Sequence, residues 1–209
     1  GGLILASLVA SFLAFLARLI SGASALWLDC QPLPKQRIYF GNHTSHMDFV
    51  VLWSVLPDDV RAQTRPVAAE EYWTTSKLRK YVAAEVFRAV LVDRNSNTVE
   101  QRRDQIERML SGMGKDQSLI IFPEGTRGEG DEVQPFKSGL YHLAKAKPDV
   151  ELVPVFLENL NRVLPKGEYL PVPLLSRVYF GPPMHLEQGE SKEAFLQRAR
   201  EAMIGLADQ

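Results

Sequence analysis

Six short β-type runs recur along the chain, separated by turns and helical stretches, and this alternation limits the fold more than any other feature. The runs are residues 37–40, 66–69, 89–92, 118–122, 150–156 and 177–180. They are rich in β-branched, aromatic and aliphatic side chains, as buried strands require. Two helices between or after them carry clear start signals. Thr98 and Gln101 form a capping-box pattern ahead of Val99, Ile106, Met109 and Leu110, with Gly112 placed to end the helix. Ser191 precedes a segment with Phe195, Leu196, Ala199, Ala202, Met203 and Leu206 on one side. The pattern predicts an α/β fold, a central mixed β-sheet covered by helices.

A chain of 209 residues has material for one such domain, and 45% apolar with 23% charged residues is ordinary globular composition. The formal net charge of −1 gives no basic field, so nucleic acid is not expected as a partner. Cys30 is the single cysteine, which excludes an internal disulfide and points to a reducing compartment.

The N-terminal end departs from this average. Between Leu3 and Leu28 the only charge is Arg18. Three readings fit: a helix spanning or lying in a membrane with Trp27 at the interface, a signal peptide cut near Ala23-Ser24-Ala25, or a helix buried in the core. The first is preferred. It divides the chain into an apolar, membrane-associated helical segment over residues 1–30 and a globular domain over 31–209, with Pro32 and Pro34 in the link.

Ligand sites in α/β folds gather where strands end. Two such turns stand out. After the first run comes Asn42-His43-Thr44-Ser45-His46-Met47-Asp48. On a continuous helix His43 and Asp48 would diverge by roughly 140°. They converge if His43 sits in the loop and Asp48 in the first helical turn, where the helix dipole favours its charge. A neutral imidazole can then take the proton of an attacking alcohol while the carboxylate orients the ring. After the fourth run comes Phe122-Pro123-Glu124-Gly125-Thr126-Arg127. Here a flexible glycine exposes backbone N–H groups, and Thr126 and Arg127 supply donors suited to a phosphate.

In this order the two motifs resemble those of the lysophosphatidic acid acyltransferase family, within the wider glycerolipid acyltransferase superfamily. The resemblance covers about residues 35 to 185. A second block resembles Val90-Leu91-Val92-Asp93-Arg94, and a fourth resembles the proline-centred strand Leu152-Val153-Pro154-Val155-Phe156. The third block continues, as is usual there, into Phe136-Lys137-Ser138-Gly139. The chain departs from familiar members at Arg88 and Leu91, where a glycine and an aromatic are more usual. The resemblance implies transfer of a fatty acyl chain from acyl-CoA or acyl-carrier protein to a lysophospholipid; the apolar arm would tether the domain to a membrane, facing the cytoplasm where thioester donors are found, and no cofactor or metal is expected. It makes His43 the base and Asp48 its orienting partner. It gives the glycerol-phosphate acceptor to Arg94, Glu124, Gly125, Thr126 and Arg127, with Lys137 as an added charge.

The residue chemistry agrees. A thioester is already activated, and the chain lacks a Gly-x-Ser-x-Gly nucleophile turn, leaving Cys30 incidental. Other acceptors within the same reaction are glycerol 3-phosphate or another lysolipid. The alternatives from other classes are a metal-dependent hydrolase using His43, His46 and Asp48, and a lipid-binding protein without catalysis. His142 and His185 read as structural. Lys77, Arg79, Lys80 and Arg88 read as a solvated face, or as a basic rim beside Tyr72 and Trp73 that meets anionic lipid.

Overall fold

The computed structural model describes residues 1–21, 24–42, 48–95, 97–124, 132–158 and 177–209. A seven-stranded sheet forms the centre, from β1 (Ser24–Trp27), β2 (Arg37–Gly41), β3 (Thr64–Ala69), β4 (Val90–Val92), β5 (Ser118–Ile121), β6 (Glu151–Glu158) and β7 (Arg177–Phe180). Their spatial order is β1-β7-β6-β2-β5-β3-β4. Every pairing is parallel except β6 with β7, so the sheet is mixed as expected. The five strands from β6 to β4 point the same way and end along one edge. Within them the chain goes from β2 to β3 and later returns to place β5 between the two, a topological switch point.

All six expected runs are strands. The seventh, β1, lies inside the apolar N-terminal tract, where a helical segment was expected. The tract divides instead into helix α1 (Gly2–Ser21) and β1, which pairs in register with β7 from Ser24↔Arg177 to Trp27↔Phe180. Trp27 therefore stacks on Phe180, ring centroids 3.8 Å apart and 8° from parallel, rather than standing out as a membrane-interface anchor.

Alternate residues of the strands supply two cores. Tyr39, Ile120, Val153 and Phe180 face a cluster completed by α2 (Asp48–Val55), whose Phe49, Leu52 and Trp53 are buried, together with Trp73 and Phe87. Phe87 meets Phe49 at 5.1 Å and Trp53 at 4.8 Å, both edge-on, a favoured aromatic geometry. Ile38, Phe40, Leu119 and Ile121 face the opposite way, against α6 (Val99–Met113), α7 (Gly139–Ala146) and α8 (Lys192–Ile204). The remaining helices are short: α3 (Asp58–Ala62), α4 (Glu70–Trp73) and α5 (Lys77–Tyr81), the last continuing into a wide turn over Val82–Val86.

Helix α1 lies on α2 and that wide turn with its polarity inverted. Ala6 and Ala14 are buried, and Ala10 and Leu13 pack against the core. Leu3, Ile4, Leu5, Leu8, Phe12 and Phe15 are exposed. Small side chains at i, i+4 and i+8 allow close approach, which leaves the large apolar ones facing out. Among the described residues no helix is long and apolar enough to cross a membrane.

The caps of α6 and α8 match the sequence. Gln101 N–H donates to Thr98 Oγ1 at 3.1 Å while Thr98 N–H donates to Gln101 Oε1 at 3.2 Å. Ala194 N–H donates to Ser191 Oγ at 3.1 Å. The end of α6 differs. It runs past Gly112 and stops at Gly114, which holds φ +51°, a conformation glycine adopts without strain. Gly112 serves a different purpose: a Cβ there would sit 2.5 Å from Val90 Cγ2, so its absence lets α6 press on β4.

Candidate active site

The two motif turns leave adjacent strands. Phe40 of β2 pairs with Ile121 of β5, so Asn42 and Pro123, each two residues further on, emerge side by side at the C-terminal edge. The contact is close: a Cβ on Gly41 would lie 3.3 Å from the Phe122 ring.

Asn42 holds the first turn. Its Nδ2 donates to the Leu157 carbonyl at 3.1 Å, and its Oδ1 accepts from Leu157 N–H at 2.7 Å. The side chain thus completes the β2–β6 ladder where the β2 backbone has left it. Both bonds are buried, so the backbone immediately before His43 is fixed from the sheet. Asp48 lies at the other end of the motif, as the first residue of α2 and only 2% exposed. A carboxylate this buried requires compensation, and the N-terminal dipole of α2 contributes some of it. His43 and His46 lie outside the described residues.

Glu124 holds the second turn. It is buried, and its Oε2 accepts from Gln134 N–H at 2.7 Å. Lys137 N–H donates to the Pro123 carbonyl at 2.8 Å, and Arg200 of α8 donates to the Val133 carbonyl at 2.6 Å. The segment that follows the motif is therefore tied back to the start of the motif and to α8. This bonding makes Glu124 an organiser of the loop, in addition to the acceptor contact that the resemblance assigns to it. Gly125, Thr126 and Arg127 lie outside the described residues.

Arg94 follows β4 and is half-buried, and Lys137 is exposed just before α7. Both line a cavity of about 720 Å³ that also takes in Phe122 and Pro123. Its walls are α6 and α7, and its floor includes Val67, Val92, Ile106 and Ile121. Arg94 and Lys137 are thus brought together in the lining of one cavity, beside the start of the second motif turn. Asp48 and Glu124 are buried outside its lining. In the sequence Asn42 stands only as the first residue of the motif. A buried polar residue directly after an apolar strand was the available signal for its structural part. His142, read as structural, lines the cavity largely exposed, its basicity lowered by partial desolvation against the cavity wall and by nearby Lys192 and Lys145.

One basic candidate changes standing, and Cys30 keeps its incidental one. Arg88 does not join a lipid-facing rim. Its guanidinium is turned along the sheet end, donating to Gln117 Oε1 at 3.1 Å and to the Ala62 carbonyl. Its φ is +51°, which accounts for the glycine more usual there. Lys77 and Lys80 remain exposed, and Arg79 stacks 4.3 Å over the Tyr72 ring. Cys30 is buried, and burial pushes its thiol up, away from nucleophilic use.

An α/β sheet with paired motif turns at a switch point defines a ligand-handling α/β domain, and a family model described as Acyltransferase matches residues 30–158. The chain belongs to that acyltransferase family. Among its relatives, a 1-acyl-sn-glycerol-3-phosphate acyltransferase of Limnanthes alba is 29% identical over 177 residues, covering 80% of this chain and 60% of the relative. The enzyme of the same name from Escherichia coli (strain K12) is 30% identical over 139 residues, covering 60% of this chain and 51% of that protein. The chain spans about half to three fifths of the length of these curated relatives. The crystal structure of the 1-acyl-sn-glycerophosphate (LPA) acyltransferase PlsC from Thermotoga maritima superposes with a TM-score of 0.69 at 20% identity, covering 97% of this chain and 78% of that one. That likeness shows a shared fold. The metal-dependent hydrolase alternative has no support among these relatives.

Proposed function

We propose that this domain transfers a fatty acyl chain from a thioester donor, acyl-CoA or acyl-carrier protein, to the free hydroxyl of lysophosphatidate. The observation that supports the reading is the adjacency of β2 and β5, which brings Asn42 and Pro123, where the two motif turns begin, to one edge of the sheet. His43 takes the proton of the acceptor hydroxyl as its oxygen attacks the thioester carbonyl. Asp48 orients the imidazole and stabilises its cation. Collapse of the tetrahedral intermediate breaks the C–S bond, and the imidazolium returns the proton to the departing thiolate. Arg94, Thr126, Arg127 and Lys137 hold the acceptor phosphate, with Gly125 giving backbone access and Glu124 fixing the loop.

The exposed apolar face of α1 supports attachment to a membrane surface without spanning it, with residues from Ser24 onward in the catalytic sheet and on the cytoplasmic side, where thioester donors occur. The test is the full chain incubated with labelled palmitoyl-CoA or palmitoyl-carrier protein and a panel of acceptors: lysophosphatidate, glycerol 3-phosphate and neutral lysolipids. Labelled phosphatidate as the main product is the expected result. Product only with acceptors lacking phosphate would overturn the assignment.

A further inference from the structure

The cavity between α6 and α7 holds more positive charge than one acceptor phosphate uses. Six cations line it: Arg94, Arg102, Arg103, Lys137, Lys145 and Lys192. No aspartate or glutamate is among the described residues of the lining. The chain as a whole carries 24 basic and 25 acidic side chains, so this one-sided collection is local. The acceptor reading employs Arg94 and Lys137. The other four are exposed, on α6, α7 and α8, and among the described residues none of them makes an ion pair. Like charges gathered around a concave site repel one another less when an anion occupies it.

Three properties narrow the occupant. A lysophosphatidate phosphate brings about two negative charges, whereas a phosphomonoester plus a diphosphate brings about four. The volume of about 720 Å³ is that of a small-molecule site, a half-open cleft between α6 and α7 rather than a convex face that another protein would cover. Finally, the cavity lies on the sheet face covered by α6, α7 and α8, opposite the face against which α1 packs. A domain held to a bilayer by α1 turns its α6–α8 side toward water, and a soluble ligand can reach Arg102, Arg103, Lys145 and Lys192 from there.

We propose that the α6–α7 cavity binds the nucleotide end of the acyl donor, an adenosine carrying a phosphomonoester and a diphosphate-linked pantetheine arm, as in coenzyme A. Arg102, Arg103, Lys145 and Lys192 take its phosphates, and the arm runs past Phe122 and Pro123 toward the motif turns. The inference rests on the acyl-transfer reading for its choice of donor, but the binding it describes is measurable without turnover.

The probe is adenosine 3′,5′-bisphosphate titrated calorimetrically into the full chain. The expected result is binding that weakens with salt. The triple variant Arg102→Glu/Lys145→Glu/Lys192→Glu should weaken it at least about tenfold at an unchanged melting temperature, and the triple glutamine variant should fall between. In kinetics, the KM for palmitoyl-CoA should rise by a similar factor while the KM for lysophosphatidate and for S-palmitoyl-pantetheine, which lacks the nucleotide, should hold. Unchanged bisphosphate binding overturns the proposal. So does a rise confined to the lysophosphatidate KM, which gives the cavity to the acceptor, or to palmitoyl-carrier protein, which makes it a protein-docking face. Bisphosphate binding with no acyl transfer from any donor supports this site and removes the proposed function instead.

Discussion

Replacing Asn42 by alanine tests how the first motif turn is held. The substitution removes two buried hydrogen bonds at once, 3.1 Å to the Leu157 carbonyl and 2.7 Å from its N–H. Both Leu157 groups then lack partners beside a packed strand. At about 1–3 kcal/mol for each unsatisfied buried group, relieved in part by water, the loss should be roughly 3 kcal/mol. For a domain of this length that lowers the melting temperature by roughly 6–12 °C. Because His43 follows directly, turnover should also fall at temperatures where the variant remains folded. Asn42→Asp refines the test. One carboxylate oxygen can still accept from Leu157 N–H, but the other faces the Leu157 carbonyl and the charge is buried. The folded-state pKa of that carboxyl should be raised, because only the protonated acid can donate to the carbonyl. Its deficit relative to wild type should therefore be smallest near about pH 4 and grow as pH rises through the raised value. Thermal melts followed by circular dichroism, at several pH values, measure both variants. A melting temperature for Asn42→Ala within about 2 °C of wild type, with normal turnover, would refute the reasoning.

Three further outcomes are expected. Arg94→Ala should raise the KM for lysophosphatidate about tenfold with Arg94→Lys between, since lysine keeps the charge but loses the planar fork; saturation curves with varied acceptor decide it. Leu8→Asp/Phe12→Asp, at exposed positions of α1, should shift the chain from vesicle pellet to supernatant without lowering its melting temperature; unchanged sedimentation would give the attachment to another surface. Burial alone would raise the Glu151 carboxyl, but hydrogen bonds from Lys35 at 2.9 Å and Arg37 at 3.0 Å outweigh it and hold it below the usual range. Its stabilisation is thus complete above the ordinary carboxylate pKa and disappears as pH falls through the depressed value. Glu151→Gln should cost stability at pH 7 and little in acid, by thermal melts across pH.

Local signals in the sequence reached far into the fold. Strands with alternating or continuous apolar residues, and the caps at Thr98 and Ser191, were readable because their causes lie within a few residues. β1 was not, since Ser24–Trp27 is a short segment in a tract that is apolar throughout and its strand character comes from pairing with Arg177–Phe180, some 150 residues away. Gly112 looks like a stop in the sequence because helix-ending glycines and close-packing glycines are alike until Val90 is placed against one of them. Arg88 looked like a free cation, although its positive φ and its partners Gln117 and Ala62 come from the sheet end. For the candidate site, both motif turns were legible as chemistry. Their adjacency was not, because the insertion of β5 between β2 and β3 is a property of topology. The cations of the cavity are likewise scattered from Arg94 to Lys192, with no motif to collect them.

The central claim is that acyl transfer at this sheet edge depends on His43 acting as a base. The most direct test compares wild type with His43→Ala, each shown folded by its melting curve, for labelled phosphatidate formed from palmitoyl-CoA and lysophosphatidate. The account predicts that wild type makes product and that His43→Ala loses at least about 10²-fold in turnover while its KM for lysophosphatidate changes little. A folded His43→Ala variant that turns over at the wild-type rate would contradict it.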